Sequence, residues 1–108
     1  MRNRILIEKM VGYTAKILAY CHGRSYADFS RDTMLVEACV FNLSQLGELC
    51  RRVDDAFTAA HPQIPWHAIY GLRNRIVHDY EGVNLTLVWE IIQEDLPTLQ
   101  TQLQQLLR

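Results

Sequence analysis

Leu85, Val88, Ile92, Leu96, Leu99, Leu103 and Leu106 recur at steps of three and four residues. An α-helix puts that spacing on one face, whereas a strand would scatter it over two. The same rhythm governs most of the chain. A first helix is expected from about Arg4 to Cys21, with Leu6, Met10, Tyr13, Ile17 and Tyr20 on one stripe and Gly23 as its stop. A second is expected from about Arg31 to Val53, after a short turn at Ser25–Phe29. Its stripe is Leu35, Cys39, Leu46, Cys50 and Val53, widened by Phe41 and Leu49. Asn42, Gln45 and Glu48 interrupt the neighbouring face, either as a solvated edge or as a buried polar seam.

The one obvious connection is Ala59–Pro65. Pro65 suits the first turn of a third helix, where its missing N–H costs nothing. That helix carries Trp66, Ile69, Leu72, Ile76 and Val77. Gly82 supplies a break and Asn84 a cap before the fourth helix, which starts near Leu85 and holds the leucine stripe. Pro97 should bend or restart this last helix, with Asp95 available as a cap. Gly71 is costly inside a helix and implies close approach of another helix, possible also across a dimer.

An all-α, antiparallel bundle of four to five helices follows, formed by one domain spanning residues 1–108. The composition agrees: 49% hydrophobic and 21% charged residues suit a folded core, and five Gly with three Pro are too few for many tight turns. Several stripes are wide for so small a domain, which points to a homodimer, with Trp66 and Trp89 as anchors in the core or between subunits.

A net charge of −1 argues against a broad basic surface gripping long nucleic acid, though not against a local anion site. Cys21, Cys39 and Cys50 lack any C-x-x-C spacing and sit beside apolar residues, as small buried hydrophobes in a reducing compartment do. His22, His61 and His67 have no ligand spacing with them, so neither metal nor cofactor is expected. Charges at Arg2, Arg4, Glu8 and Lys9 break the first apolar segment, and no stretch approaches the ~20 apolar residues of a membrane span. A cytoplasmic protein without a membrane partner is expected.

The chemistry is concentrated in Arg73-Asn74-Arg75-Ile76-Val77-His78-Asp79-Tyr80. Arginine holds a phosphate and offsets its growing charge, and histidine moves protons near neutrality. Two readings stand side by side. Arg73 and His78 could act on a phosphodiester, or Arg73 could join a surface ion pair while His78 ends a helix at its negative pole. On a continuous helix these two side chains would lie about 140° apart, whereas Asn74 and His78 would share a face. Arg73 and His78 therefore converge only if the helix ends between them, if the arginine bends round, or if a second subunit supplies the other half. Arg51, Arg52 and Arg75 are solvated charges or an extension of the same path. Tyr80 packs, or touches substrate.

The run Trp66-x-x-Ile69-x-Gly71-Leu72-Arg73-Asn74-Arg75-Ile76-Val77-His78-Asp79-Tyr80 resembles the signature of the HEPN superfamily, and within it the HepT-like toxins marked by Arg-x4-His-x-Tyr. The likeness extends to Gly47-Glu48, Val88-Trp89 and Asp95-Leu96-Pro97, with no departure at the key positions. It implies a homodimeric, metal-independent endoribonuclease with Arg73 and His78 of both subunits lining a composite cleft and Asn74 in support. It also implies an antitoxin partner, a minimal nucleotidyltransferase that blocks the toxin by transferring AMP to the motif tyrosine, here Tyr80. The competing reading is a non-catalytic helical module that binds a nucleotidyltransferase or a nucleotide through the same residues.

Overall fold

The computed structural model describes residues 2–77 and 82–108, together with the backbone at position 78. Two long helices organise it, α1 (Arg2–Cys21) and α3 (Thr33–Arg51), packed against each other and joined by the short helix α2 (Tyr26–Arg31). Gly23 closes α1 with φ +74°, and Ser25 opens α2 through a capping box with Asp28. Asp32 then caps α3 by accepting from the Leu35 N–H at 3.0 Å. Three short helices follow: α4 (Asp55–Ala60), α5 (Trp66–Tyr70) and α6 (Leu72–Ile76). The chain ends in α7 (Leu85–Glu90), a π-helical turn at Ile91–Asp95, and α8 (Leu96–Leu106), which lies along α1. This is the expected all-α bundle, with more breaks than periodicity suggested.

One continuous core runs through it, with Ile7, Met10, Ile17, Phe29, Leu43, Leu46, Ile76, Ile92 and Leu103 almost inaccessible to solvent. The α1 stripe is rotated from the expected one. Ile7, Thr14 and Cys21 are buried, while Tyr13 sits on the margin and Tyr20 is exposed. Thr14 is accommodated because its hydroxyl donates to the Val11 carbonyl at 2.8 Å. Phe41 does not widen the α3 stripe and is 59% exposed. It lies two residues from both Cys39 and Leu43, about 200° round the helix from each, which is the opposite face. The polar residues beside the stripe divide: Asn42 is buried and donates to the Ala38 carbonyl at 2.7 Å, Gln45 is half-buried and Glu48 is exposed.

The third helix is interrupted. Gly71 (φ −95°, ψ 9°) separates α5 from α6, its N–H still reaching the His67 carbonyl at 3.2 Å. Within the subunit a Cβ at Gly71 would meet only that carbonyl, at 3.7 Å, so there Gly71 marks a kink and not a close approach. The close approach belongs to Gly47, where a Cβ would lie 3.0 Å from the Ile69 carbonyl oxygen. Asp95 is not a cap either. It sits in helical conformation without a capping bond, and the Leu96 N–H reaches back five residues to Ile91. Pro97 has no N–H to give, and the π turn before it takes up the mismatch without stopping the helix.

Both tryptophans serve the core. Trp89 packs on Phe29 with ring centroids 5.1 Å apart, and Trp66 donates to the His61 carbonyl at 2.9 Å. The Cys21 and Cys39 sulfurs touch at 3.6 Å, and the Cys50 thiol faces the Trp66 carbonyl at 3.4 Å. Burial pushes the Cys50 thiol up to about 11. Among the described residues no helix is long and apolar enough to cross a membrane.

Asn84 joins the motif region to the rest of the bundle. Its N–H donates to the Ile76 carbonyl at the end of α6 at 2.8 Å, and its side chain accepts from the Leu87 N–H at 3.1 Å to start α7. Asn84→Ala removes the second bond and should destabilise the fold by about 1 kcal/mol, read as a lower midpoint in urea at unchanged slope.

Candidate active site

Helix α6 stops at Ile76 because Val77 turns to extended backbone (φ −106°, ψ 120°). Val77 and His78 then form a two-residue strand, β1, antiparallel to β2 (Gly82–Val83), with Val77 opposite Val83 and His78 opposite Gly82. Gly82 adopts φ +89°, a conformation that side chains rarely take, so this hairpin needs glycine there. Arg73 thus stands on the last turn of a helix and His78 on a strand. The about 140° separation of a continuous helix does not apply, because the helix ends between the two residues, the condition that the first route sets. The His78 side chain, Asp79 and Tyr80 lie outside the described residues, and with them the placement of the imidazole and the motif phenol.

Arg73 and Asn74 are both exposed and line a cleft of about 120 Å³ between α6 and the C-terminal half of α3. Its other wall is Ser44, Gly47, Glu48 and Arg51, and Tyr70 closes one end. The cleft is narrow because Gly47 lets α5 come within contact of α3. Charge in it is mixed but positive. Arg73 and Arg51 face Glu48, whose carboxylate is 3.7 Å from the Arg51 guanidinium. That pair is open to solvent and weak, so both partners can rearrange round an anion.

The family model for "Ribonuclease HepT-like" matches residues 10–106. The chain belongs to the HepT-like ribonuclease family. Endoribonuclease is the enzyme class that this membership gives it. Among curated relatives, the chain is 35% identical over 80% of its length to "Putative RNase TTE0752" of Caldanaerobacter subterraneus subsp. tengcongensis, covering 77% of that protein. It is 30% identical over 75% of its length to "Probable ribonuclease HepT" of Thermococcus cleftensis, covering 74% of it. No solved structure matches the chain.

Seen as a HepT-like domain, the bundle brings together residues that the sequence leaves far apart. Glu48 has no evident partner in the sequence, yet it stands across the cleft from Arg73 and Asn74. Tyr70 carries no motif signal. It is 45% exposed, with the Arg51 guanidinium stacked 4.2 Å from its ring centre. The only hint in the sequence was a large aromatic three residues before Arg73. Of the three other arginines considered, Arg51 joins the Arg73 cleft.

Arg75 faces a different depression of about 500 Å³, between α5–α6 and the π turn with α8, where Glu94 and Asp95 stand near it. One guanidinium against two carboxylates makes that larger depression repel a phosphate, so the smaller cleft is the better anion site. Among the described residues no three His, Cys, Asp or Glu side chains cluster as metal ligands would.

Proposed function

We propose that this HepT-like ribonuclease cuts RNA as a homodimer whose two Arg73–His78 pairs meet round one scissile phosphate. The observation that carries the reading is the end of α6 between Arg73 and His78, beside an exposed cleft with a positive balance of charge. The face of α3 next to the cleft supports the pairing. Met34 and Phe41, one seven-residue repeat apart, are 82% and 59% exposed, and Ser44 and Glu48 continue the same face into the cleft. A second copy covering that face would bury the two apolar side chains and bring two arginine clefts together. Light scattering should give twice the 12.6 kDa chain mass, and Phe41→Glu should halve it.

The chemistry follows from the groups. One His78, neutral, takes the proton from a ribose 2′-hydroxyl. The 2′-oxygen bonds to the adjacent phosphorus as the bond from phosphorus to the 5′-oxygen breaks. The second His78, protonated, gives its proton to the departing oxygen and leaves a 2′,3′-cyclic phosphate. Each Arg73 stabilises the charge gathering on the phosphoryl oxygens, and Asn74 orients phosphate or imidazole. DNA, lacking the 2′-hydroxyl, stays intact. Incubation of RNA with the protein in EDTA tests the reading, and intact RNA after prolonged incubation with the dimer would overturn it.

The regulatory half of the proposal is a toxin–antitoxin pair, supported by the Arg-x4-His-x-Tyr run of the HepT-like domain. A nucleotidyltransferase partner transfers AMP from ATP to the Tyr80 oxygen: the bond from that oxygen to the α-phosphorus forms as the α–β phosphoanhydride breaks, and pyrophosphate and the phenolic proton leave. Each AMP brings a negative phosphodiester within a few residues of Arg73 and fills space that the RNA backbone needs. Tyr80→Phe should keep ribonuclease activity and growth inhibition while escaping the partner. Complete silencing of that variant by a co-expressed nucleotidyltransferase would sink the control point.

A further inference from the structure

A second cleft of about 250 Å³ adjoins the Arg73 cleft, and Arg51 and Tyr70 line both. The Arg51–Tyr70 stack therefore stands as a partition between them. Tyr70 is 45% exposed, and the Arg51 guanidinium lies over its ring. The second cleft differs in chemistry from the first. Trp66, His67 and Thr58 line it, and so does Asp55, whose carboxylate disfavours a phosphate. Its volume lies just below the roughly 300–1,000 Å³ of pockets for drug-sized ligands, which suits a single nucleobase.

We propose that this cleft is a nucleobase subsite, receiving the base next to the scissile phosphate with Tyr70 as stacking platform and Arg51 as its cationic backing. The proposal rests on the reading of the Arg73 cleft as a phosphate site. A single-stranded RNA running across the partition places its phosphate by Arg73 and Arg51 and its base by Tyr70, the alternation of charge and aromatic surface that single-strand binders use. Stacking is tolerant of base identity, so binding here supplies affinity and position more than sequence preference. Tyr70 is a positioning residue: it sets where the phosphodiester lies and takes no part in bond making.

The test uses full-length protein carrying His78→Ala, so that RNA binds without being cut, and a fluorescein-labelled single-stranded oligoribonucleotide read by anisotropy. Tyr70→Ala in that background should weaken binding about five- to 150-fold. Tyr70→Phe, which keeps the ring, should restore it, and Tyr20→Ala, a comparably exposed tyrosine on α1, should leave it unchanged. Unchanged affinity in Tyr70→Ala overturns the proposal, as does failure of the His78→Ala protein to bind RNA. A shift of Tyr70→Ala from dimer to monomer in light scattering also overturns it, because the ring would then serve subunit contact.

Cleavage by protein with His78 intact separates the two claims. RNA cut equally well by Tyr70→Ala removes the subsite and keeps the ribonuclease, whereas Tyr70-dependent binding without any cleavage removes the proposed chemistry and keeps the subsite.

Discussion

His78→Ala is expected to slow RNA cleavage by roughly 10²–10⁴-fold, the usual worth of a positioned proton-transfer group. Arg73→Ala should cost about 10²–10³-fold, as loss of one donor to a developing anion does. The two effects should differ in kind. Removing His78 leaves the phosphate grip intact, so kcat falls with little change in KM. Removing Arg73 weakens both the bound and the reacting phosphate, so KM rises as kcat falls. Arg73 is exposed on the last turn of α6 and makes no ion pair among the described residues. Its truncation should therefore leave stability within about 0.5 kcal/mol, and lost activity cannot be charged to unfolding. A pair of histidines working in opposite protonation states predicts a bell-shaped pH profile for kcat/KM. Undiminished cutting by the purified His78→Ala protein would remove the histidine from the mechanism, and a flat pH profile across neutrality would remove the acid–base pair.

Periodicity located the long helices because burial repeats along them every turn, as the stripe Val88, Ile92, Leu96, Leu99 and Leu103 does. It could not locate α4. Asp55–Ala60 is six residues long with no buried side chain, so no apolar repeat announces it; Phe57, half-buried, leans on Trp66 and His61. The hairpin was equally silent, since two-residue strands are too short to alternate. Pro97 marked a disturbance, but whether a helix answers a proline by stopping, bending or widening is settled by what it packs against, here α1.

The motif arginine was legible as chemistry because its residue types and spacing stand out. Glu48, Arg51 and Tyr70 were not legible as a cleft, because no local pattern records which turn of α3 faces α5 and α6. The two glycines show the same limit. Gly71 breaks a helical pattern and draws the eye, whereas Gly47, inside a flawless helix, is where two backbones meet.

Gly47→Val should therefore be among the most damaging single changes outside the motif. Its Cβ would stand 3.0 Å from the Ile69 carbonyl oxygen and 3.7 Å from that of Tyr70, and valine adds two methyls beyond it. Those oxygens belong to the backbone of α5, whose Ile69 side chain is buried in the core, so no flexible group can move aside. Valine gains only a few tenths of a kcal/mol over glycine in helix propensity, too little to offset an overpacking cost of about 1–3 kcal/mol. The melting midpoint should fall by about 4–8 °C per kcal/mol for a domain of this size. Activity should fall further than stability. Pushing α5 off α3 widens the cleft that Tyr70 and Arg73 share with Glu48 and Arg51, and a displacement of about 1 Å can cost 10²-fold in rate. Gly71→Ala is the matched comparison, since its Cβ meets nothing closer than 3.7 Å. It should keep both folding and cleavage near the parent level. A Gly47→Val protein that melts and cuts like the parent would mean that α3 and α5 are not held in contact there, and the cleft built on that contact would have to be abandoned.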